Sequence, residues 1–504
     1  MFSRIRKIYG YFKYQKIMSK FYITTAIDYP SAPPHIGHVY EKVCADIIAR
    51  WHRRIGDDVF FSTGTDEHGQ KIQKCALSSG KKPEEFVERM SKRFIDLWAK
   101  LNISYDSFIR TTQKRHEEIA QNIFKKIYEK GDIYKGFYVG LYCVDCEAFY
   151  TEKDLLEGIC PTHNKKVEKI KEECYFFKMS KYQDKILEHI QSNKDFIQPE
   201  TRRNEIINRI KEGIRDLSVS RSSFNWGIPL PIDEKHIIFV WFDALINYIS
   251  VLGYPNKEFR KYWPADIHLI GKDILWFHAV VWLAILLAAD IELPRKIFVH
   301  GFINIKGEKI SKSRGVVVDP LELVRKYGTD AIRYFLLREI RFGEDGDFSE
   351  DALIKRINDD LANDLGNLVY RTLTMIEKYF KGYVPHAEII DKKWKQNIDN
   401  FSCEVDLHMS NLDFNLALDE TWELINLANK YIEDTKPWNL VKENKTEELK
   451  AFIRLLVDVI REVAEQIYPF MPQTAESIKE QLGKDKIKKG KPLFPRIDNL
   501  TPST

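Results

Sequence analysis

Residues 21–38 read FYITTAIDYPSAPPHIGH. The first seven are β-branched, aromatic or apolar, the composition of a strand. A polar turn follows, ending in Pro33 and Pro34. Proline is tolerated where a helix begins, because the first amides there have no intrahelical partner. A helix is therefore expected over the next twenty or so residues, closing near Gly56. Val39, Val43, Ile47, Ile48, Trp51 and Ile55 keep helical spacing and mark one buried face.

The same strand-to-helix grammar recurs. DVFFSTGTDEHG, residues 58–69, reads as a strand entering a glycine-containing turn. After a long interruption, IIFVWFDALINYI (237–249) passes from strand to helix, IHLIG (267–271) is a strand, 272–289 a helix, and KIFVHGFIN (296–304) a strand. Strands alternating with helices predict an α/β fold with a parallel sheet covered on both faces. Ligands of such sheets bind at the carboxyl ends of the strands.

The 504-residue length predicts about three domains. Residues 1–20 form a basic, acid-free extension that reads as disordered or partly docked, with organelle targeting as the alternative. Residues 21–118 and 230–346 are the two halves of the sheet domain, split by 119–229, where the spacing changes and cysteines cluster. Beyond 347 the strands stop. Leu353, Ile357, Leu361, Leu365 and Leu368 share one stripe, so 347–504 reads as a helical bundle. The tract KDKIKKGK (484–491) reads as a basic surface turn or tail.

Net charge is +4, from 78 basic and 74 acidic residues, so a polyanion must be met by local patches. The most apolar run, 274–289, is shorter than a membrane helix needs and is bracketed by charge, which predicts a core helix and no membrane partner. Four of the seven cysteines lie in one short region, which argues against a secreted disulfide scaffold and for a reducing, cytoplasmic compartment.

Two motifs point to phosphate chemistry. In PPHIGH, His35 and His38 are three apart and project on one side of a first helical turn, with Gly37 between them for close approach of a planar group. In KISKS, Lys309, Ser311, Lys312 and Ser313 sit around Ile310 in a glycine-flanked loop. Lysines there are mobile point charges suited to phosphate oxygens, and Asp319 with Pro320 caps the following helix. A third motif, CVDCEAFYTEKDLLEGICPTH (143–163), offers Cys143, Cys146, Cys160 and His163 as two hooks with ligand spacing for tetrahedral zinc. Four protein ligands leave no open position, so such a metal is structural. Cys174 is a competing fourth ligand.

HIGH followed far downstream by KISKS resembles the double signature of class I aminoacyl-tRNA synthetases. FYITTAIDYPSAPPHIGH, GTDEHGQKI, VWFDALINY, IGKDILWFHAVVW and DLGNLVYRT resemble the methionyl-tRNA synthetase family, from about residue 21 onward. The resemblance implies a Rossmann-type domain split by a zinc-binding connective insertion and followed by an α-helical anticodon-binding bundle. It implies a methionine–tRNA ligase that uses ATP with Mg²⁺, carries one structural Zn²⁺, and charges tRNA(Met), initiator tRNA included. His35, His38, Lys309 and Lys312 would be catalytic, and with Gly37, Ser311 and Ser313 would bind ATP. Methionine would be met by Ala26, Ile27, Tyr29, Asp66, Trp241, Ala244, Leu245, Tyr248, His278 and Trp282. Asp66 can pair with the substrate ammonium, and aromatics can enclose a thioether. Asn367 and Arg371, one turn apart, and Trp438 would read the CAU anticodon. Asp28 and Pro30 depart from family habit, which has an aromatic and a small apolar residue there. The insertion is small for the editing domain of synthetases for branched apolar amino acids. With no further oligonucleotide-binding domain after the bundle, the resemblance implies a monomer.

Overall fold

The computed structural model describes residues 19–145, 148–150, 155, 157–161, 165–305, 308–309, 318–387 and 392–497. Six strands build the central sheet: β1 (Lys20–Thr25), β2 (Asp58–Thr65), β3 (Ser107–Arg110), β4 (Ile197–Gln198), β5 (Ile267–Gly271) and β6 (Ile297–His300). Their order is β3-β2-β1-β5-β6-β4, and every pairing is parallel. Order reverses between β1 and β5, which opens a crevice at their carboxyl ends. β4 comes from within 119–229, so the segment expected as a separate insertion also returns to complete the edge of the main sheet.

Alternation along β1 splits the core. Phe21 and Ile23 enter the apolar layer shared with helix α1 (Ile36–Arg54), while Tyr22 enters the layer on the opposite face. The apolar set read from the sequence packs as expected, with Val39, Val43 and Ile47 fully buried. The same helix also buries charge. Asp46 accepts from Arg50 Nε at 2.7 Å, lies 2.7 Å from the fully buried Arg333 guanidinium, and takes Ser104 N and Oγ at 2.6 Å. That cluster ties α1 to the segment after the KISKS loop.

The apolar run at 274–289 is helical but not uniform: a 3₁₀ turn (Lys272–Ile274), a π segment (Phe277–Trp282) and an α segment (Leu283–Ala288) follow one another. No described helix is long and apolar enough to cross a membrane. Within 119–229, strand Ile133–Cys143 pairs antiparallel with Glu168–Phe177.

The carboxyl-terminal part is helical. Helix Glu350–Arg356 runs through a π segment (Ile357–Gly366) into Asn367–Phe380. The stripe Leu353, Ile357, Leu361, Leu365 repeats every four residues, which drifts around an α-helix of 3.6 residues per turn. The wider π turn keeps that stripe inward, and all four residues, with Leu368, are buried. Longer helices Lys392–Ser410, Phe414–Thr435 and Thr446–Ile467 pack beside it, with Pro472–Leu482 closing the bundle.

Candidate active site

A cleft of about 460 Å³ opens at the carboxyl ends of β1, β2 and β5. Its lining includes Ala26, Ile27, Tyr29, His35, Gly37, His38, Asp66, Trp241, Ala244, Leu245, Tyr248 and His278. Residues separated by more than two hundred positions thus meet where the topology predicts a ligand.

At one end stand the two histidines. His35 caps α1, and its Nδ1 accepts from Gly37 N at 3.2 Å, while His35 N donates to His38 Nδ1 at 3.0 Å. With both Nδ1 atoms accepting, the neutral rings carry their protons on Nε2 and present donors. The rings stack with centroids 3.8 Å apart. A Cβ at Gly37 would press on the His35 ring at 3.0 Å, so the glycine makes room for that ring.

The other end is aromatic. Trp241 stacks on Phe277 at 3.7 Å with planes 5° apart. Tyr248 Oη meets His278 Nε2 at 2.6 Å, and His278 Nδ1 meets Ile274 O at 2.9 Å. A carbonyl only accepts, so Nδ1 carries the proton and Nε2 accepts from the tyrosine. Burial pushes His278 down to about 4, keeping the ring neutral. Trp282 does not line the cleft. It is fully buried behind Tyr248, 5.7 Å between rings, and donates to His268 Nε2 at 3.2 Å.

Beneath lies a buried ionic network. Lys42 Nζ donates to Ala26 O at 3.0 Å, Asp28 Oδ1 at 2.8 Å and Glu41 Oε1 at 2.9 Å, which uses all three of its protons. Glu41 Oε2 meets His300 Nε2 at 3.0 Å. One ammonium thereby joins the wall at 26–28, the HIGH helix and the end of β6. Burial opposes charge on all three partners. The two carboxylates outweigh it for Lys42, whose pKa is raised, and Lys42 with His300 outweighs it for Glu41, which is held low. Asp28 shares Lys42 without a second cation, and burial pushes it up to about 7. Asp28, the residue that departs from the expected aromatic, is thus the buried partner of Lys42.

A second network fixes the helix Val240–Leu245. Its Asp243 accepts from His68 Nδ1 and His116 Nε2, each at 2.7 Å. Burial would raise the Asp243 carboxyl, but the two imidazoles outweigh it and hold it low. His68 directly follows Asp66–Glu67, so the turn bearing Asp66 is tied to the helix bearing Trp241, Ala244 and Leu245. Sequence reading missed Glu41, Lys42, Asp273, His300 and this relay, although Glu41, Asp273 and His300 line the cleft. The available signal was Lys42, Asp46 and Arg50, charges at i, i+4 and i+8 along one face of a helix whose apolar residues read as buried.

From β6 the chain enters a hairpin, Ile303–Ile305 against Glu308–Lys309. The backbone of Lys309 pairs with Asn304, but its side chain and residues Ser311, Lys312 and Ser313 lie outside the described residues. Asp319 caps the next helix by accepting from Leu321 N at 2.8 Å, with Pro320 at its first position.

Of the metal hooks, Cys143 and Cys160 are buried, while Cys146 and His163 lie outside the described residues. Among the described residues no cluster of three candidate ligands is assembled. Cys174 pairs across from Gly136, seven residues along the strand from Cys143. That is about 23 Å of extended chain, too far to share a metal with bonds of ~2.3 Å. The two described thiols of the hooks, Cys143 and Cys160, are soft donors of the kind that a zinc ion takes. Asp145, two residues past Cys143, lines the cleft and lies 3.6 Å from Lys71, so this knuckle borders the site.

In the bundle, Asn367 is exposed, Arg371 pairs with Glu433 at 2.6 Å, and Trp438 is 43% exposed beside the left-handed Lys436. All three lie outside the cleft.

A family model for class I tRNA synthetases, the methionine group, matches residues 21–169 and 162–373. The chain belongs to the class I methionyl-tRNA synthetases. A model for the anticodon-binding domain of tRNA ligases matches 391–498 of this synthetase. It is 52% identical to the methionine–tRNA ligase of Caldanaerobacter subterraneus subsp. tengcongensis over 95% of this chain and 79% of that one. It is 49% identical to the enzyme of Clostridium acetobutylicum over 95% and 78%. Among solved structures it resembles Mycobacterium tuberculosis methionyl-tRNA synthetase in complex with methionyl-adenylate. The TM-score is 0.92 at 41% identity, covering 95% of this chain and all of that one.

Proposed function

We propose that the chain is a methionine–tRNA ligase acting on L-methionine, ATP and tRNA(Met), initiator tRNA included. The methionine carboxylate oxygen attacks the α-phosphorus of ATP, the bond to the β,γ-phosphates breaks, and pyrophosphate leaves. A terminal ribose hydroxyl of tRNA then attacks the methionyl carbonyl, and AMP leaves. The observation that carries this reading is one cleft lined by a histidine pair, a carboxylate and a neutral aromatic floor.

His35 and His38 donate from Nε2 to the phosphates, and Lys309 and Lys312 balance charge that builds on them during transfer. Ser311 and Ser313 let the loop approach, and Mg²⁺ accompanies ATP. Asp66 pairs with the substrate ammonium. Ala26, Ile27, Tyr29, Trp241, Ala244, Leu245 and Tyr248 surround the side chain, with His278 neutral beneath. Trp282 acts one layer back, holding Tyr248. Cys143, Cys146, Cys160 and His163 hold a zinc ion, which supplies a cross-link for the knuckle and no chemistry. Asn367 and Arg371 hydrogen-bond anticodon bases while Trp438 stacks on one.

The test is ATP–pyrophosphate exchange across the amino acids with zinc-replete protein. Methionine-dependent exchange is expected. Exchange with leucine or cysteine but not methionine would leave the class and remove the substrate, and no exchange at all would remove the enzyme.

A further inference from the structure

The tract 484–491, KDKIKKGK, places five lysines and one aspartate in eight residues of a chain whose net charge is only +4. Such a run is ordinarily a solvated face, and two observations set this one apart. The first is its rigidity. Val384 N donates to Asp485 O and Ile487 N to Gly382 O, both at 2.9 Å, and Tyr383 bridges Lys486 antiparallel. Arg461 reaches Lys484 O at 2.7 Å, Gly490 N donates to Gln481 Oε1 at 3.1 Å, and Ile487 is buried as an anchor. Lys484, Lys486 and Lys488 are thus exposed side chains on a pinned backbone.

The second is its neighbour. Asn367, Tyr370, Arg371, Thr374 and Glu377 follow i, i+3, i+4, i+7, i+10 and so share one face of helix Asn367–Phe380. On that face Lys489 Nζ stands 4.8 Å from the ring of Tyr370, itself 41% exposed, and pairs with Glu377 at 2.9 Å. At the helix end Lys486 stands 5.0 Å from the ring of Tyr383, 56% exposed. Cations and exposed rings alternate along one edge, where five lysines stand with Asp485 and Glu377, and Arg371 with Glu433.

We infer that residues 484–491 form a phosphate rail for RNA. The rail grips the sugar–phosphate backbone of the stem beside the anticodon, while the far end of the same helix face meets the bases. This rests on the methionine–tRNA ligase reading. Lysines on phosphates release counterions, act independently of sequence and set position rather than specificity. A pinned backbone adds to this by ordering the charges before the RNA arrives.

The test compares the parent chain with K484A/K486A/K488A, three exposed lysines that leave Ile487 in place. Direct binding of a tRNA(Met) transcript is measured from about 50 to 300 mM KCl, with methionine-dependent exchange on the same preparations. The variant is expected to bind about tenfold more weakly at low salt, with the slope of log Kd against log salt reduced by about two. A transcript with an altered anticodon should lose the same factor, and exchange should be unchanged. An unchanged slope overturns the rail, and so does a loss confined to the CAU transcript, which would make the tract a reader of bases. If the parent shows no methionine exchange, the ligase reading fails, while the binding slopes still decide the rail.

Discussion

The catalytic sheet and the helical bundle handle polarity in opposite ways. Around the cleft, charged and titratable groups are taken inward and paired: Lys42 with Asp28 and Glu41, Asp243 with two imidazoles, His278 with a tyrosine and a carbonyl. In the bundle the inward stripe is leucine and isoleucine, and Asn367, Arg371 and Trp438 stay at the surface. The contrast follows from what each region must meet. A reacting small molecule is served by donors whose reorganisation was completed on folding. A long polyanion is met by side chains that remain hydrated until it docks.

The contrast breaks most visibly at Lys42. Lys42→Met takes from Asp28 and the Ala26 carbonyl the donor they share and leaves Glu41 with His300 alone, which should cost about 3–5 kcal/mol by urea unfolding. Adding Asp28→Asn should return part of that loss, and a double variant no more stable than Lys42→Met would deny the pairing. Lys312→Ala should slow adenylation about 10²–10³-fold with methionine affinity nearly unchanged, because the role proposed for it belongs to the transition state. An equal loss of methionine binding would contradict that role.

His278 sharpens the comparison through pH. Its folded pKa, about 4, lies below its ordinary 6.5. Its stabilisation is therefore full above pH 6.5 and is lost as pH falls toward 4, amounting to about 3 kcal/mol. The stability advantage of the parent over His278→Asn should shrink by that order between pH 7 and pH 4. A constant gap would mean that the ring titrates normally. The smallest effect belongs to the exposed side. On the stacking role proposed for it, Trp438→Ala should raise KM for tRNA roughly 5–150-fold, the equivalent of about 1–3 kcal/mol for one stacked base, leaving exchange untouched.

Sequence periodicity revealed α/β order, the strand-to-helix turns and the apolar stripe of the bundle, because each is a local pattern. The HIGH histidines were legible for the same reason: their spacing alone puts them on one turn. The Lys42 network was not, since its partners Asp28 and His300 come from the turn after β1 and the end of β6. Glu41 and Lys42 look like solvated residues until the sheet covers them. Trp282 shows the converse limit. Four residues past His278, at the end of the π segment Phe277–Trp282, Trp282 packs behind Tyr248 and not into the cleft. Cys174 could be separated from the metal hooks only once strand register placed it opposite Gly136.

The pairing of β1 with β5, Ile23 beside Ile267, carries a cost during synthesis. At about 5–20 residues per second, a ribosome needs roughly 10–50 s to make the partner after β1 has emerged. Through that interval β1 offers an open parallel edge, the template on which neighbouring nascent chains aggregate. β4, the sheet strand made just before β5, is only two residues long and pairs with β6, so it does not cover that edge. Expression yield of this chain should therefore depend on chaperone supply and translation rate more than on the stability of the finished fold.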